Sequence, residues 1–428
     1  MLWPQRHGWS QDIGAIGMLD GRGVIGADGQ VDIGKLRSAI EARLPFVPRF
    51  RQVIRVPRPG LGRRLWVDAP RVDLDRHVRL ANLPDGENGL LPAVEHIRRQ
   101  PLDISRPLWE IWLFTGLDAQ RIGLFVRVHH AITDGVGGVS TLATLLGTDR
   151  GSSCPPAPVP SARELLVDNL RGHGVAVART AAGAVHPLRT LHTLRTAWPA
   201  MWESVGQRTP RTSLNRPLGP RRSFSLVRGR LDAVKQIAHT YGGTVNDVLL
   251  AAISGGVRDL LRARGERVDG LVLRAFVPVA LHRDHRPAGS PGNEDGQMVA
   301  DLPVGLADPV ERLQAVVADT AVRRRLYRPA GSALFRNGLI QRAFLPLMAH
   351  QRWANTYVAN VPGPAEPLTF AGAPVLELFP LVPLIGNVTL GVGALSYAGQ
   401  LNLTVVADAD ACPDVATFTA ALRRDLSC

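Results

Sequence analysis

The stretch Ile122-Gly123-Leu124-Phe125-Val126-Arg127-Val128-His129-His130-Ala131-Ile132-Thr133-Asp134-Gly135 decides the reading of this chain. Its first nine residues form an almost unbroken apolar run with the length of a buried strand, and Val139 to Leu146 resumes helical spacing after the glycines. Side chains alternate faces along a strand. If the strand holds to its end, His130 points with Leu124, Val126 and Val128 into a core or tunnel, and His129 points away with Phe125 and Arg127. Two adjacent strand histidines do not easily converge on one ion, so a metal site ranks low and none is expected. A histidine in an apolar channel suits general-base work instead. Its reference pKa of about 6.5 leaves it largely neutral near pH 7 and able to take a proton. Asp134 either orients the imidazole or holds the loop through an arginine, and Gly135 permits backbone conformations closed to other residues. A lone histidine at a strand end is ordinarily a satisfied core residue. The pair, the aspartate and the glycines together favour function.

Outward from this cluster, residues 31–147 read as mixed α/β, with a helix over Val31 to Leu44 and strands at Trp66 to Asp68 and Ile111 to Phe114. Cys154-Pro155-Pro156-Ala157-Pro158-Val159-Pro160 is a proline-rich break. Residues 161–205 have amphipathic helical spacing, with Arg163, Arg171, Arg179, Arg189 and Arg195 among aliphatic residues and Trp198 and Trp202 near the end. A bundle packed on the body, its arginines solvated, is preferred there over a helix lying on anionic lipid. From residue 224 a second α/β half begins. It has helices at Leu231 to Tyr241 and Thr244 to Arg264, strands at Leu271 to Val279 and Thr356 to Val361, and a hairpin of Val388 to Tyr397 with Leu401 to Ala407. The expected division is residues 1–150, an N-terminal lobe with the histidine cluster, 151–223, a linker and helical crossover, and 224–428, a C-terminal lobe.

Apolar residues make up 45% of the 428 and charged residues 20%, a globular composition long enough for two or three cores. The net charge of +13 is carried almost wholly by arginine, since Lys35 and Lys235 are the only lysines. That balance suits nucleic acid, anionic membrane surface or phosphorylated cofactors without choosing among them. Dispersed charge without an aromatic-basic motif makes nucleic acid the least favoured partner. Cys154, Cys412 and Cys428 are too few and too scattered for a disulfide framework or zinc knuckle. With no signal peptide or apolar run of about 18 residues, a cytoplasmic protein is expected, peripheral at most on the inner membrane face or on lipid droplets.

In the second half, Thr244 and Asp247 fit a capping box, which leaves Asn246 in the first helical turn with no structural excuse. Its amide is placed to donate toward charge forming on a reacting oxygen, where losing one such donor typically costs about 2.7–4 kcal/mol. Trp109 and Glu110 read as packing and orientation residues. No phosphate-cradling loop is present.

The run from His129 to Gly135 matches the HHxxxDG motif of the CoA-dependent acyltransferase superfamily. Further ordered points make the chain resemble the bacterial wax ester synthase/diacylglycerol acyltransferase family. They are Pro48-Arg49-Phe50-Arg51-Gln52, Pro101-Leu102-Asp103, Arg106-Pro107-Leu108-Trp109-Glu110, Asn246-Asp247-Val248-Leu249-Leu250-Ala251, Pro278-Val279, Gly292 to Met298, Leu302-Pro303, Asn360-Val361-Pro362-Gly363-Pro364 and Ser396-Tyr397. The resemblance implies an α/β (α+β) fold of two chloramphenicol-acetyltransferase-like lobes, with mixed sheets flanked by helices and an active-site tunnel at their interface. It implies no permanently bound cofactor, acyl-CoA as co-substrate, and diacylglycerol or a long-chain alcohol as acceptor. His130 takes the hydroxyl proton, and Asp134 is structural. Two departures stand out. The family's opening methionine-histidine pair, followed by valine and glycine, is not recognisable before residue 31. Its PVSxR-like stretch reads Pro278-Val279-Ala280-Leu281-His282, with the nearest arginine at Arg283. The alternatives are a carrier-protein-bound donor, a specialised lipid acceptor, or a non-catalytic lipid-binding protein on the same scaffold.

Overall fold

The structure, a computed structural model, describes residues 9–58, 62, 64–117, 120–133, 135–147, 153–156, 158–185, 208–279, 296–326 and 346–426. Two six-stranded sheets dominate it. The first runs β11 (Thr369–Phe370), β12 (Ala373–Leu381), β1 (Asp12–Asp20), β6 (Arg121–His129), β5 (Trp109–Thr115), β4 (Val78–Asn82). Its ladders are antiparallel except the parallel β4–β5 pair. The second runs β7 (Arg222–Arg230), β14 (Gln400–Asp408), β13 (Leu390–Tyr397), β10 (Thr356–Pro362), β8 (Leu273–Val279), β9 (Gly296–Leu302), with parallel pairing at β13–β10 and β10–β8. A two-stranded ribbon of β2 (Gln52–Arg55) and β3 (Leu65–Asp68) stands apart. Both large sheets are mixed, as the sequence led one to expect.

The described helices are α1 (Ile33–Arg43), the single turn α2 (Leu74–His77), α3 (Leu90–Arg99), α4 (Gly135–Leu146), α5 (Ala162–Val185), α6 (Leu231–Thr240), α7 (Val245–Ala263), α8 (Pro309–Leu326) and α9 (Val415–Leu426). The second sheet and α7 share an aliphatic core that includes Leu249, Leu250, Ile253, Val392, Leu403 and Phe418. Each such side chain, taken fully out of water, contributes about 1.5–3 kcal/mol. Helices α7 and α9 touch closely: a Cβ on Gly256 would stand 2.8 Å from the Phe418 ring. One face of the first sheet is covered by a cluster reaching α1 and α4, with Leu124, Val126 and Val128 in it. The opposite face carries Ile16, Phe125 and Phe379, which meet Phe224, Ala359 and Val406 of the second sheet. That third cluster joins the two halves.

Four strands of the first sheet, β1, β4, β11 and β12, were not legible in the sequence. β1 lies between β6 and β12, with both faces mostly buried. It therefore lacks the polar alternation that announces a strand, and Gly14 and Gly17 interrupt its apolar run. At Gly14 a Cβ would fall 1.8 Å from the Val126 carbonyl oxygen, so the packing admits only glycine. β12 comes from residue 373 onward, yet pairs antiparallel with β1. Sheet membership therefore does not follow the order of the chain. The second sheet holds this crossing strand from its own side. The Tyr397 hydroxyl donates to the Val375 carbonyl at 2.8 Å, Asn402 Nδ2 donates to the Leu378 carbonyl at 3.0 Å, and Arg228 pairs with Glu377.

Helix α5 departs from the expected packed bundle. Arg163 and Arg171 are exposed, but so are Leu166, Val167, Leu170 and Val175, with Leu170 63% exposed. Residues 186–205, with Trp198 and Trp202, lie outside the described residues.

Candidate active site at the histidine turn

Strand β6 ends at His129, one residue short of the sequence expectation, and His130 opens the turn that leads into α4. His129, read on the face it shares with Phe125 and Arg127, is completely buried, because both faces of the central strand β6 are covered. His130 is half-buried.

Neighbouring backbone pins the turn. His129 N–H donates to the Leu108 carbonyl at 2.9 Å, His130 N–H to the Gln11 carbonyl at 2.9 Å, and Ile132 N–H to the His129 carbonyl at 2.9 Å. Beside it, Trp109 is fully buried, donates from Nε1 to the Phe50 carbonyl at 2.7 Å, and stacks on His77 at 4.4 Å between ring centroids. Trp109 is thus a packing residue, as its sequence context indicated.

The His129 ring has a defined proton. Its Nδ1 accepts the Ala131 N–H at 2.9 Å, so in the neutral ring the hydrogen sits on Nε2. That Nε2 is buried without a hydrogen-bond partner among the described residues. Burial above all, with the neighbouring His130 adding to it, pushes the His129 pKa down to about 4. His129 is a neutral imidazole at every physiological pH.

On the same face as His129 lies a buried ionic network that the sequence reading missed. Arg127, 3% exposed at its side chain, pairs with Glu110 at 3.0 Å and Asp12 at 3.4 Å. It also donates to the Ile97 and Gln100 carbonyls at 3.0 and 2.7 Å, capping the C-terminus of α3. Asp12 stands opposite His129 in the β1–β6 register. Burial raises the Asp12 pKa despite the opposing pull of Arg127 and Arg98. Glu110 accepts from Trp112 Nε1 at 2.9 Å as well, so its work is orientation. The signal for this network was present in the sequence. Arg127 is a lone charge within a run otherwise fit for burial, and such a charge needs partners. Its partners sit on β1 and β5, at sequence distances no local pattern reveals.

The other predicted residues fall at two places. Gly135 is the first residue of α4, directly after the turn, while Asp134 lies outside the described residues. Asn246 is half-buried in the first turn of α7, in the other half of the chain. The capping box beside it is present: Thr244 Oγ1 accepts from Asp247 N–H, and Asp247 accepts back from Thr244 N–H at 2.7 Å. Asp247 does more than cap. It also accepts from Thr320 Oγ1 at 2.7 Å and Arg324 at 3.0 Å, tying α7 to α8. Of the two departures from the resemblance, the second falls on residues 280–283, outside those described. The first concerns the residues before 31, among which β1 runs beside the histidine strand.

Comparison with known proteins agrees along the length of the chain. Residues 11–249 match the model of the wax ester synthase/diacylglycerol acyltransferase catalytic domain, and residues 291–427 match the WS/DGAT C-terminal domain. A protein of Mycobacterium tuberculosis named as a probable diacylglycerol O-acyltransferase is 31% identical over 392 residues, covering 88% of this chain and 83% of its own. Among solved structures, the wax ester synthase/diacylglycerol acyltransferase of Marinobacter aquaeolei VT8 superposes with a TM-score of 0.70 at 21% identity, over 99% of this chain and 95% of that one. The starter condensation domain of rhizomide synthetase, solved with C8-CoA, gives 0.58 at 17% identity, over 99% and 90%. At these identities the two superpositions establish a shared fold.

Proposed function

The chain belongs to the wax ester synthase/diacylglycerol acyltransferase family, and from that premise we propose that it moves a long-chain acyl group from acyl-CoA to the hydroxyl of diacylglycerol or of a long-chain alcohol. His130 is the general base. Its imidazole takes the hydroxyl proton as the oxygen attacks the thioester carbonyl. The C–S bond then breaks, and the imidazolium returns the proton to the leaving CoA sulfur. A positioned base of this kind contributes about 10²–10⁴-fold in rate. Asn246 donates to the carbonyl oxygen as charge develops on it.

The observation that carries this assignment is the contrast between the two rings. His129 is wholly buried with Nδ1 engaged by backbone, whereas His130 is half-buried on a turn held by the Gln11 and Leu108 carbonyls just ahead of β1 and β5. That contrast supports His130, rather than His129, as the base.

The donor and acceptor are both lipid-bearing, and no described helix is long and apolar enough to cross a membrane. The exposed Leu166, Val167 and Leu170 of α5, beside Arg163 and Arg171, supply a peripheral contact with an anionic lipid surface.

The test is purified protein with radiolabelled palmitoyl-CoA and a panel of mono- and diacylglycerols and long-chain alcohols. Labelled triacylglycerol or wax ester, with stoichiometric CoA release, is the expected result. Transfer only from acyl carrier protein would move the donor assignment. Vesicle binding without CoA release from any donor would leave a lipid-binding scaffold in place of an enzyme.

A further inference from the structure

Arg98, in the last turn of α3, is 4% exposed, yet its side chain forms no hydrogen bond or ion pair among the described residues. Its Nε is buried without a partner. A guanidinium carries five N–H donors, and buried donors left unmet are destabilising enough that native proteins rarely keep them. Arg98 does not lack charged neighbours. Asp12 and Glu95 attract it, and Arg222 and Arg127 repel it. Both carboxylates are engaged elsewhere, Asp12 with Arg127 at 3.4 Å and Glu95 Oε1 with the Arg222 N–H at 2.9 Å. Its guanidinium lies over the Phe224 ring, with Cζ 5.8 Å from the centroid.

The location is informative. Phe224 stands on β7 of the second sheet, while Asp12 is opposite His129 at the end of the first. Arg98 therefore lies between the two halves at the end where the histidine turn sits. His129 Nε2, on the Asp12 face of the sheet, is a second donor there with no acceptor.

The charge balance selects the ligand. Arg98, Arg127 and Arg222 stand among four carboxylates, Asp12, Glu95, Glu110 and Asp408, the last pairing with Arg222 at 3.0 Å. The cluster has no surplus positive charge to offer a phosphate. What it lacks is acceptor atoms. We propose that Arg98 is a substrate-binding residue whose free donors hold a carbonyl oxygen of a neutral group lying between the two halves, an ester of the acceptor or an amide of the pantetheine arm. Burial lowers the Arg98 pKa to about 10, which still leaves the group charged at neutral pH.

This inference rests on the acyl-transfer reading, and the experiment separates the two. Arg98→Gln and Arg98→Lys are compared with wild type using palmitoyl-CoA and either dioleoylglycerol, which has two ester carbonyls, or hexadecanol, which has none. The expected result is a loss of at least tenfold in kcat/KM with dioleoylglycerol in Arg98→Gln, and a smaller loss in Arg98→Lys, which keeps the charge but not the planar fork. A loss much larger with dioleoylglycerol than with hexadecanol assigns the carbonyl to the glycerolipid. A raised KM for palmitoyl-CoA, equal with both acceptors, assigns it to the pantetheine arm. Kinetic constants of Arg98→Gln that match wild type throughout would overturn the inference, leaving Arg98 to buried water. If wild type releases no CoA, the acyl-transfer reading fails. Calorimetric binding of palmitoyl-CoA and of micellar dioleoylglycerol then decides the matter, and affinities unchanged in Arg98→Gln overturn the inference. Should Arg98→Gln not fold, Arg98→Lys carries the same comparisons.

Discussion

The two sheets bury charge in different ways. Around α7 the second half is filled with aliphatic side chains, and its buried carboxylates are closely paired, Asp247 by a cap, a threonine and an arginine, Asp408 by Arg222 and Asp425 by Arg312. On its inner face the first half instead buries Asp12 and Arg127 with Glu110 partly covered, together with a neutral histidine and an unbonded Arg98. Buried ion pairs give little net stability over a well-packed apolar alternative. Beside the histidine turn such pairs point to positioning. Both halves bury ion pairs, and the first adds, next to the turn, buried donors without partners among the described residues, on His129 and Arg98.

The largest effect expected from this contrast is on activity. His130→Ala should lower kcat by about 10²–10⁴-fold while leaving the thermal midpoint close to wild type, as read by single-turnover assay and calorimetry. Wild-type turnover in that variant would remove the functional meaning of the first half. Next, Arg127→Met strands Asp12 in the interior and should destabilise the fold by about 3–5 kcal/mol in urea unfolding. Adding Asp12→Asn should recover part of that loss. An Arg127→Met protein as stable as wild type would show that the two halves do not differ as described.

The buried imidazole gives a pH signature of somewhat smaller size. His129 titrates near 4 in the folded chain against about 6.5 when unfolded, so below 6.5 the unfolded state binds a proton that the folded state refuses. Its contribution is fully present above pH 6.5. It declines as pH falls toward 4, by roughly 3 kcal/mol over the full interval. His129→Gln should flatten that acid slope relative to wild type in unfolding curves taken between pH 7 and 4. The smallest change belongs to the second half. Thr244→Ala removes one cap and should cost about 1 kcal/mol, with its effect on turnover confined to what a loosened Asn246 produces. A larger loss there would mean that the capped helix does more than hold the core together.

Much of this was legible locally. The helix of α1, the capped α7, the β13–β14 hairpin and the histidine motif each announce themselves within a few residues. The motif's end was less legible, since alternation was carried through His130, whereas the strand stops at His129 and leaves His130 on a turn. Alternation assigns faces only while the strand continues, and where a strand ends is decided by its neighbours' ladders.

By itself, then, the amino-acid sequence determined the mixed α/β character, the family resemblance and the identity of the motif residues, because periodicity, capping and motif spacing are short-range properties. Tertiary structure alone decided that β1 and β12, more than 350 residues apart, would stand side by side, and that Asp12 would meet Arg127 and Arg98. It also decided which of two adjacent imidazoles would be sealed in. Those outcomes depend on burial and on long-range pairing, and neither exists until the chain has closed on itself.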